Sequence, residues 1–208
     1  MFGVYFKNQK GSVMKKVLSK IFVIFAFCFS FTETYAQYKI EQDGWGGEYM
    51  GQLVATGYHV CGSFFDKVPL SLLVQCESAK NIYHVSCLLS LYSPCEFPPR
   101  GILLLKTDKG EVIELSCGAN GGNIKKEQRL DGKVFYRYRA VVFFEIKEEK
   151  LKEIIEGQIV KVRFQTESKP LDKVFKNNEF SYVLYLSWLS IQRRLYPERF
   201  KDELREGF

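Results

Sequence analysis

The feature that most constrains this chain is a run of alternating apolar and polar residues in its second half. From Val134 to Ile146 every second residue is apolar or aromatic, whereas Arg137, Arg139 and Glu145 occupy positions between them. Successive side chains of a β-strand point to opposite faces of a sheet, so this alternation predicts a long strand with one buried face. A substantial β-sheet is therefore expected.

Five further segments carry strand signals, at residues 70–76, 83–91, 101–117 and 159–166 and, more weakly, at 54–61. They are separated by Gly, Pro and Asn turns, and few helical segments are available as crossovers, which favours antiparallel pairing. The predicted fold is mainly β (α+β). It is an antiparallel β-sandwich or partly open barrel with a short crossover helix and a C-terminal helix packed on the sheet.

The clearest hairpin surrounds a predicted tight turn at residues 108–110, with Gly110 at the position that needs a positive φ. In this register Leu105 faces Ile113, and both strands bury the same face. A slip of one residue would place Leu105 opposite Glu114. The apolar pattern itself therefore selects the register.

Two helices interrupt the strand pattern. Residues 147–156 predict a short helix that ends at Gly157 as a left-handed cap. A second helix is predicted to begin near Asn177 and Asn178, which can cap free amides, and to end at Leu195. Its apolar stripe comprises Phe180, Val183, Leu184, Ser187, Trp188, Ile191 and Leu195. We expect this stripe to cover a face of the chain's own sheet, the alternatives being a docking or membrane role.

The N-terminus has the composition of a secretory signal peptide. Lysines precede an apolar run of 11 residues at 21–31, which is too short for a membrane-spanning helix of about 20 residues. The small side chain of Ala36 predicts cleavage before Gln37. Lipid attachment at Cys28 is a competing interpretation, but Phe27 stands where a lipoprotein signal has a small residue.

These signals divide the chain into a signal peptide at 1–36, a single β-rich domain at 37–196 and a charged tail at 197–208. A start at Met14 would give the signal peptide an ordinary length, in which case residues 1–13 would not be translated. The protein is predicted to be exported, with no stable membrane span.

Loss of the signal peptide changes the charge of the protein. Five of the 30 basic and one of the 24 acidic residues lie in 1–36, which leaves 25 basic and 23 acidic residues. A nucleic-acid-binding protein should keep a basic patch that neutralises phosphates. The pairs Lys125-Lys126 and Arg193-Arg194 are interpreted as solvated faces, so no nucleic-acid partner is predicted.

Five cysteines remain beyond the signal peptide, namely Cys61, Cys76, Cys87, Cys95 and Cys117. At least one disulfide is predicted, because exposed thiols are vulnerable in an oxidising compartment; the connectivity stays open. A zinc site that includes His84 and Cys87 is not favoured, since these positions of a strand face opposite sides. No metal and no cofactor are predicted.

The sequence lacks the common motifs of hydrolases, metalloproteases and nucleotide-binding enzymes. A Cys/His dyad remains possible, but no cysteine occupies a predicted helix N-terminus, where its pKa would fall. No catalytic residue is therefore predicted, and an enzyme is not favoured. The alternative is a secreted hydrolase with a fold-assembled carboxylate or Cys/His site.

The better functional hints lie in two predicted loops, around Trp45 and at residues 118–132. Long loops on a rigid sheet often carry binding sites. The predicted binding residues are Trp45, Asn120, Asn123 and Lys125. The alternatives are a core anchor for Trp45 and a simple connector for 118–132. The predicted function is a non-catalytic binding or interaction module for an unknown protein or carbohydrate.

Three segments together resemble small uncharacterised exported proteins of Bacteroidetes-type bacteria. They are residues 35–37, residues 159–164 with the charged helix before them, and residues 172–176 with the terminal helix after them. The resemblance covers mainly the second half of the chain and implies no activity. It implies a Gram-negative envelope, and hence the periplasm or the cell surface.

The predicted turn can be tested by replacing Gly110 with valine. A β-branched residue is strained at positive φ, so we expect the free energy of unfolding to fall by about 1 kcal/mol or more. Thermal denaturation followed by circular dichroism measures the loss, with Lys109→Ala as the neighbouring control. An unchanged melting temperature for Gly110→Val would contradict the turn assignment.

Overall fold

The computed structural model describes residues 38–62, 68–130 and 133–200. The strands in this part of the chain are β1 (Ile40–Trp45), β2 (Gln52–Thr56), β3 (His59–Cys61), β4 (Leu70–Glu77), β5 (Ile82–Leu91), β6 (Arg100–Thr107), β7 (Val112–Leu130), β8 (Lys133–Lys147), β9 (Ile159–Phe164) and β10 (Leu171–Val174). The α-helices are α1 (Glu148–Glu156) and α2 (Glu179–Leu195), and a 3-10 turn follows at Pro197–Phe200. The predicted signal peptide and residues 201–208 lie outside the described residues.

All these strands hydrogen-bond into one antiparallel sheet, in the order β1-β2-β4-β5-β8-β7-β6-β9-β10. Strand β3 continues the line of β2 along the same edge of β4. The sheet is open, because β1 and β10 lie at its two edges and, among the described residues, do not pair with each other. The predicted mainly β, antiparallel architecture with a C-terminal helix on the sheet is confirmed.

The hairpin of β6 and β7 has the predicted register. Leu105 pairs with Ile113, and Gly110 has φ +88°. The turn is closed by the amide of Thr107, which donates to the carbonyl of Glu111 at 2.9 Å. The apolar pattern and the glycine position were sufficient to specify this element, since both act locally.

Both helices form where the sequence predicts them, but their ends differ from the prediction. Gly157 is right-handed with φ −69°, and Gln158 takes the left-handed conformation with φ +47°. A Cβ at position 157 would lie 3.0 Å from the carbonyl oxygen of Glu153, so a larger residue would crowd this carbonyl. Asn178 precedes α2 without a side-chain cap bond. Instead the Glu179 carboxylate accepts from the amide of Asn177 at 3.2 Å.

Helix α2 packs against the inner face of the sheet, as expected for its apolar stripe. Phe180, Leu184 and Ile191 are fully buried. The helix contacts β2, β3 and β4 on one side and β9 on the other, so the sheet curves around it. No helix in the described part of the chain combines the length and apolar character needed to cross a bilayer.

Polar side chains fix the position of α2 within this apolar layer. Ser181 Oγ accepts from the amide of Ile159 at 2.9 Å and donates to the carbonyl of Ile154 at 3.0 Å. Nearer the other end, Gln192 Nε2 donates to Tyr83 Oη at 2.7 Å. Burial raises the pKa of Tyr83, so its hydroxyl stays neutral. These hydrogen bonds give partners to buried polar groups, which would otherwise destabilise the folded protein.

The predicted disulfide is absent, since all five cysteines beyond residue 37 are free thiols. Cys61 lies on β3 and Cys87 on β5, with β4 between them, and β8 likewise separates Cys87 from Cys117 on β7. Strands two apart are about 10 Å from each other, whereas disulfide Cα atoms lie about 4.4–6.8 Å apart. Burial raises the pKa of Cys76 to about 11, so this thiol is not reactive.

Truncation of Leu184 tests the contact between α2 and the sheet. We expect Leu184→Ala to lower the free energy of unfolding by about 2–5 kcal/mol, because it leaves a cavity in a closely packed core. Tyr182→Ala on the same helix is the control, since Tyr182 is 54% exposed. Urea denaturation measures both, and equal losses would show that α2 is not held by its buried stripe.

Candidate functional site

A cleft opens where β7 and β8 separate. The two strands pair as far as Gly118 and Phe143. Beyond that point residues 144–147 of β8 pair only with β5, and residues 112–117 of β7 pair only with β6, among the strands described. The sheet is therefore forked, and the gap between the diverging strands is lined by side chains rather than by a continuous hydrogen-bond ladder.

The cleft has a volume of about 580 Å³ and opens on the outer face of the sheet, away from the helices. Its main polar and aromatic lining residues are His84, Arg100, Ser116, Phe143, Glu145 and Gln165. The volume lies within the range of about 300–1,000 Å³ that is usual for small-ligand sites. A ligand of the size of one or two sugar rings or a dipeptide could enter.

An aromatic ring forms the centre of the cleft because a glycine faces it. Phe143 is 38% exposed although it lies on a central strand. A Cβ on Gly118 would lie only 2.4 Å from Cζ of this ring. The missing side chain lets Phe143 lie across β7, where it presents an apolar face to solvent.

One rim of the cleft carries an imidazole between two carboxylates. His84 Nε2 lies 2.8 Å from Glu77 Oε1, and His84 Nδ1 lies 3.7 Å from Glu145 Oε2. Lys80 also contacts Glu77, with Nζ 2.9 Å from Oε2. The hydrogen bond from Lys80, with a further one from His84, lowers the pKa of Glu77 against the opposing effect of burial. Glu77 is thus a stable carboxylate that orients His84.

The opposite rim is cationic and amide-bearing. Arg100 is exposed at the start of β6 and, among the described residues, has no ion-pair partner. Gln165 Oε1 accepts from the amide of Ile102 at 2.9 Å, which holds the side chain against β6. Since β7 lies between β6 and β8, Arg100 and Glu145 present opposite charges on the two sides of the Phe143 ring.

Two catalytic possibilities can be judged from this geometry. Cys117 and His84 both line the cleft, but burial raises the pKa of the Cys117 thiol, and the described residues contain no hydrogen bond between the two side chains. Such a thiol is a poor nucleophile at neutral pH. The described residues also contain no group of three or more His, Cys, Asp and Glu side chains that could hold a metal ion.

Two of the four binding residues predicted from sequence, Trp45 and Lys125, lie on strands far apart in the sheet. Trp45 ends β1 and is 74% exposed, so it is not a core anchor. Lys125 lies on β7, with β2, β4, β5 and β8 between it and Trp45. Asn120 and Asn123 also lie on β7, but their side chains are outside the described residues. Trp45 and Lys125 are therefore separated by four strands of the sheet.

The prediction of a loop at residues 118–132 is wrong. Residues up to Leu130 continue β7, and Lys125 pairs with Tyr138 while Glu127 pairs with Tyr136; residues 131–132 lie outside the described part. The pairing runs with one irregularity between Asn120 and Ile124. Polar residues can form strands here, because a two-stranded ribbon beyond the body of the sheet has no core face to bury.

Sequence reasoning did not select the residues of the cleft. His84 enters the sequence argument only in a zinc site that is not favoured, and the fork between β7 and β8 depends on pairing partners far apart in the chain. One local signal was available. Phe143, like Phe135 and Val141, is an apolar residue among positions of β8 that elsewhere carry charged residues.

No family model, no curated protein and no solved structure matches the chain. The chemistry of the cleft therefore depends on its own residues.

The carboxylate of Glu77 should contribute a pH-dependent stability. Its pKa is lowered in the folded protein, so the contribution is present above the ordinary carboxyl pKa of about 4.3 and is lost as the pH falls through the folded value. We expect Glu77→Gln to lower the free energy of unfolding at pH 7 by about 1 kcal/mol. The difference from the unsubstituted protein should shrink as the pH falls below the ordinary carboxyl pKa.

Denaturation in urea at several pH values measures this difference. Glu114→Gln is the control, because Glu114 is exposed on β7 and no pKa shift is resolved for it. A Glu77→Gln effect that stays constant with pH would show that the carboxylate charge is not involved.

Proposed function

We propose that this chain is an exported, non-catalytic binding module of a Gram-negative envelope, and that the cleft between β7 and β8 holds a carbohydrate. The observation that carries the proposal is the exposed Phe143 ring between the Arg100 rim and the Glu145 rim. An apolar surface with a few convergent polar groups is typical of small-molecule sites.

The polar groups of the cleft suit a ligand with many hydroxyl groups. The Glu145 carboxylate accepts hydrogen bonds, the Arg100 guanidinium donates them, and the amide of Gln165 does both. The Phe143 ring offers a flat apolar surface against which the C–H face of a sugar ring can pack. A carbohydrate satisfies these partners together, because each of its hydroxyl groups both donates and accepts.

Export is supported by the sequence alone. The apolar run at 21–31 and the small residue Ala36 before Gln37 have the order of a secretory signal peptide. The resemblance to exported proteins of Bacteroidetes-type bacteria supports the periplasm or the cell surface as the location.

A secreted hydrolase is the second candidate, and one observation favours it. His84 lies between two carboxylates at the cleft, an arrangement that acid–base catalysis also uses. The state of Glu77 supports binding instead. A catalytic acid at neutral pH needs a raised pKa, whereas contacts from Lys80 and His84 lower the pKa of Glu77.

A glycan array probed with residues 37–208 tests the proposed function. We expect selective binding that Phe143→Ala weakens at least tenfold, as the stacking surface is lost, and that Arg100→Gln weakens to a smaller extent. Val112→Ala is the control, because Val112 is an exposed apolar residue of β7 that lies outside the cleft.

Three outcomes decide between the candidates. Binding that all three variants retain would place the carbohydrate site elsewhere and overturn the proposal. Binding to peptides but to no glycan would also overturn it. Cleavage of a bound glycan, detected by mass spectrometry and abolished by His84→Gln, would establish the hydrolase.

A further inference from the structure

The ends of β7 and β8 extend beyond the rest of the sheet as a two-stranded ribbon. The arm, as we call it, consists of the cross-strand pairs from Ile124 opposite Arg139 to Leu130 opposite Lys133. Strand β5 pairs with β8 only as far as Tyr138, and β6 pairs with β7 only as far as Gly118. The outer five pairs thus have no third strand among those described, over a length of about 17 Å.

Positive charge is concentrated on the arm. Residues 124–139 contain six basic and two acidic residues, whereas the rest of residues 37–208 contains 19 basic and 21 acidic residues. Lys126 and Arg137 are directly opposite each other in the ribbon. Basic residues therefore occur on both strands of the ribbon.

Aromatic rings lie beside these cations. Lys125 Nζ is 3.7 Å from the centroid of the Tyr136 ring. Arg137 donates to Tyr92 Oη at 2.6 Å, and its Cζ is 3.6 Å from the centre of the Tyr92 ring. Tyr136, Tyr92 and Val134 are 42%, 59% and 47% exposed. Lys125, Tyr136 and Val134 share one face of the arm, and Arg137 lies on the other face with Tyr92, so each face presents aromatic surface together with a cation.

We propose that the arm docks on a membrane surface that contains anionic phospholipid. Lipid phosphates would neutralise the basic residues of the arm, and the exposed tyrosines would lie at the headgroup level, where Tyr is enriched. The inference concerns a surface distinct from the cleft and does not depend on the cleft's ligand.

A membrane fits this surface better than other polyanions. An arm whose exposed side chains include Val134 and Tyr136 buries apolar area in a headgroup layer. Phosphates on a nucleic acid would satisfy the cations but leave this apolar area in water. A two-stranded ribbon does fit the major groove of DNA, so duplex DNA is included as a competitor in the test.

Sedimentation with lipid vesicles tests the proposal. Residues 37–208 are mixed with vesicles of phosphatidylcholine alone, or with about 30% phosphatidylglycerol, at about 0.1 M and about 1 M salt. We expect binding to the anionic vesicles at low salt only. Each Lys or Arg at an anionic surface changes the partition coefficient about fivefold, so Lys125→Gln with Arg139→Gln should weaken binding about 25-fold.

Lys109→Gln with Lys169→Gln is the control, since it removes the same charge from exposed residues outside the arm. Equal weakening by the two double variants would overturn the proposal, because net charge rather than the arm would then be responsible. Failure to bind anionic vesicles would also overturn it. So would binding to duplex DNA that is tighter than binding to the anionic vesicles at the same phosphate concentration. The arm variant is also tested for glycan binding. If it still binds glycan, its weaker vesicle binding is not caused by a change in the cleft.

Discussion

The burial of helix α2 against the inner face of the sheet is the contact on which the remaining structure depends. Phe180, Leu184 and Ile191 are fully buried in it, and the sheet curves so that strands from both of its halves reach the helix. An open sheet with one apolar face is not stable in water without such a cover. The bonds of Ser181 and Gln192 then fix the helix in one position along the sheet.

The helices cover the inner face of the sheet, so the outer face is available for the cleft. For the same reason the edge strands β1 and β10 need not pair with each other. The fork between β7 and β8 places Phe143, His84 and Glu145 around one opening. The same two strands continue in the other direction as the basic arm. One hairpin thus contributes to both proposed surfaces, the carbohydrate cleft and the membrane-facing arm, through opposite parts of its length.

Much of the fold could be predicted because its signals are local. The hairpin of β6 and β7 forms in the predicted register, since alternation and Gly110 act within a few residues. The segment at 118–132 was misassigned because polar composition indicates a loop and equally suits a solvated ribbon. The disulfide was misassigned because pairing depends on the distance between strands, as Cys61 and Cys87 illustrate, and this distance is set by strand order.

The sequence by itself determined the positions of the central strands and of both helices, the apolar face of each and the antiparallel class, because side-chain periodicity acts along the chain. It did not indicate β1, β10 or the outer end of β7. Only the tertiary structure decided where β7 and β8 separate, which side chains meet at His84, and how far the five thiols lie from one another. These properties depend on strand neighbours that are distant in the chain, since β8 pairs with β5 on one side and with β7 on the other. No local pattern encodes that choice of neighbours.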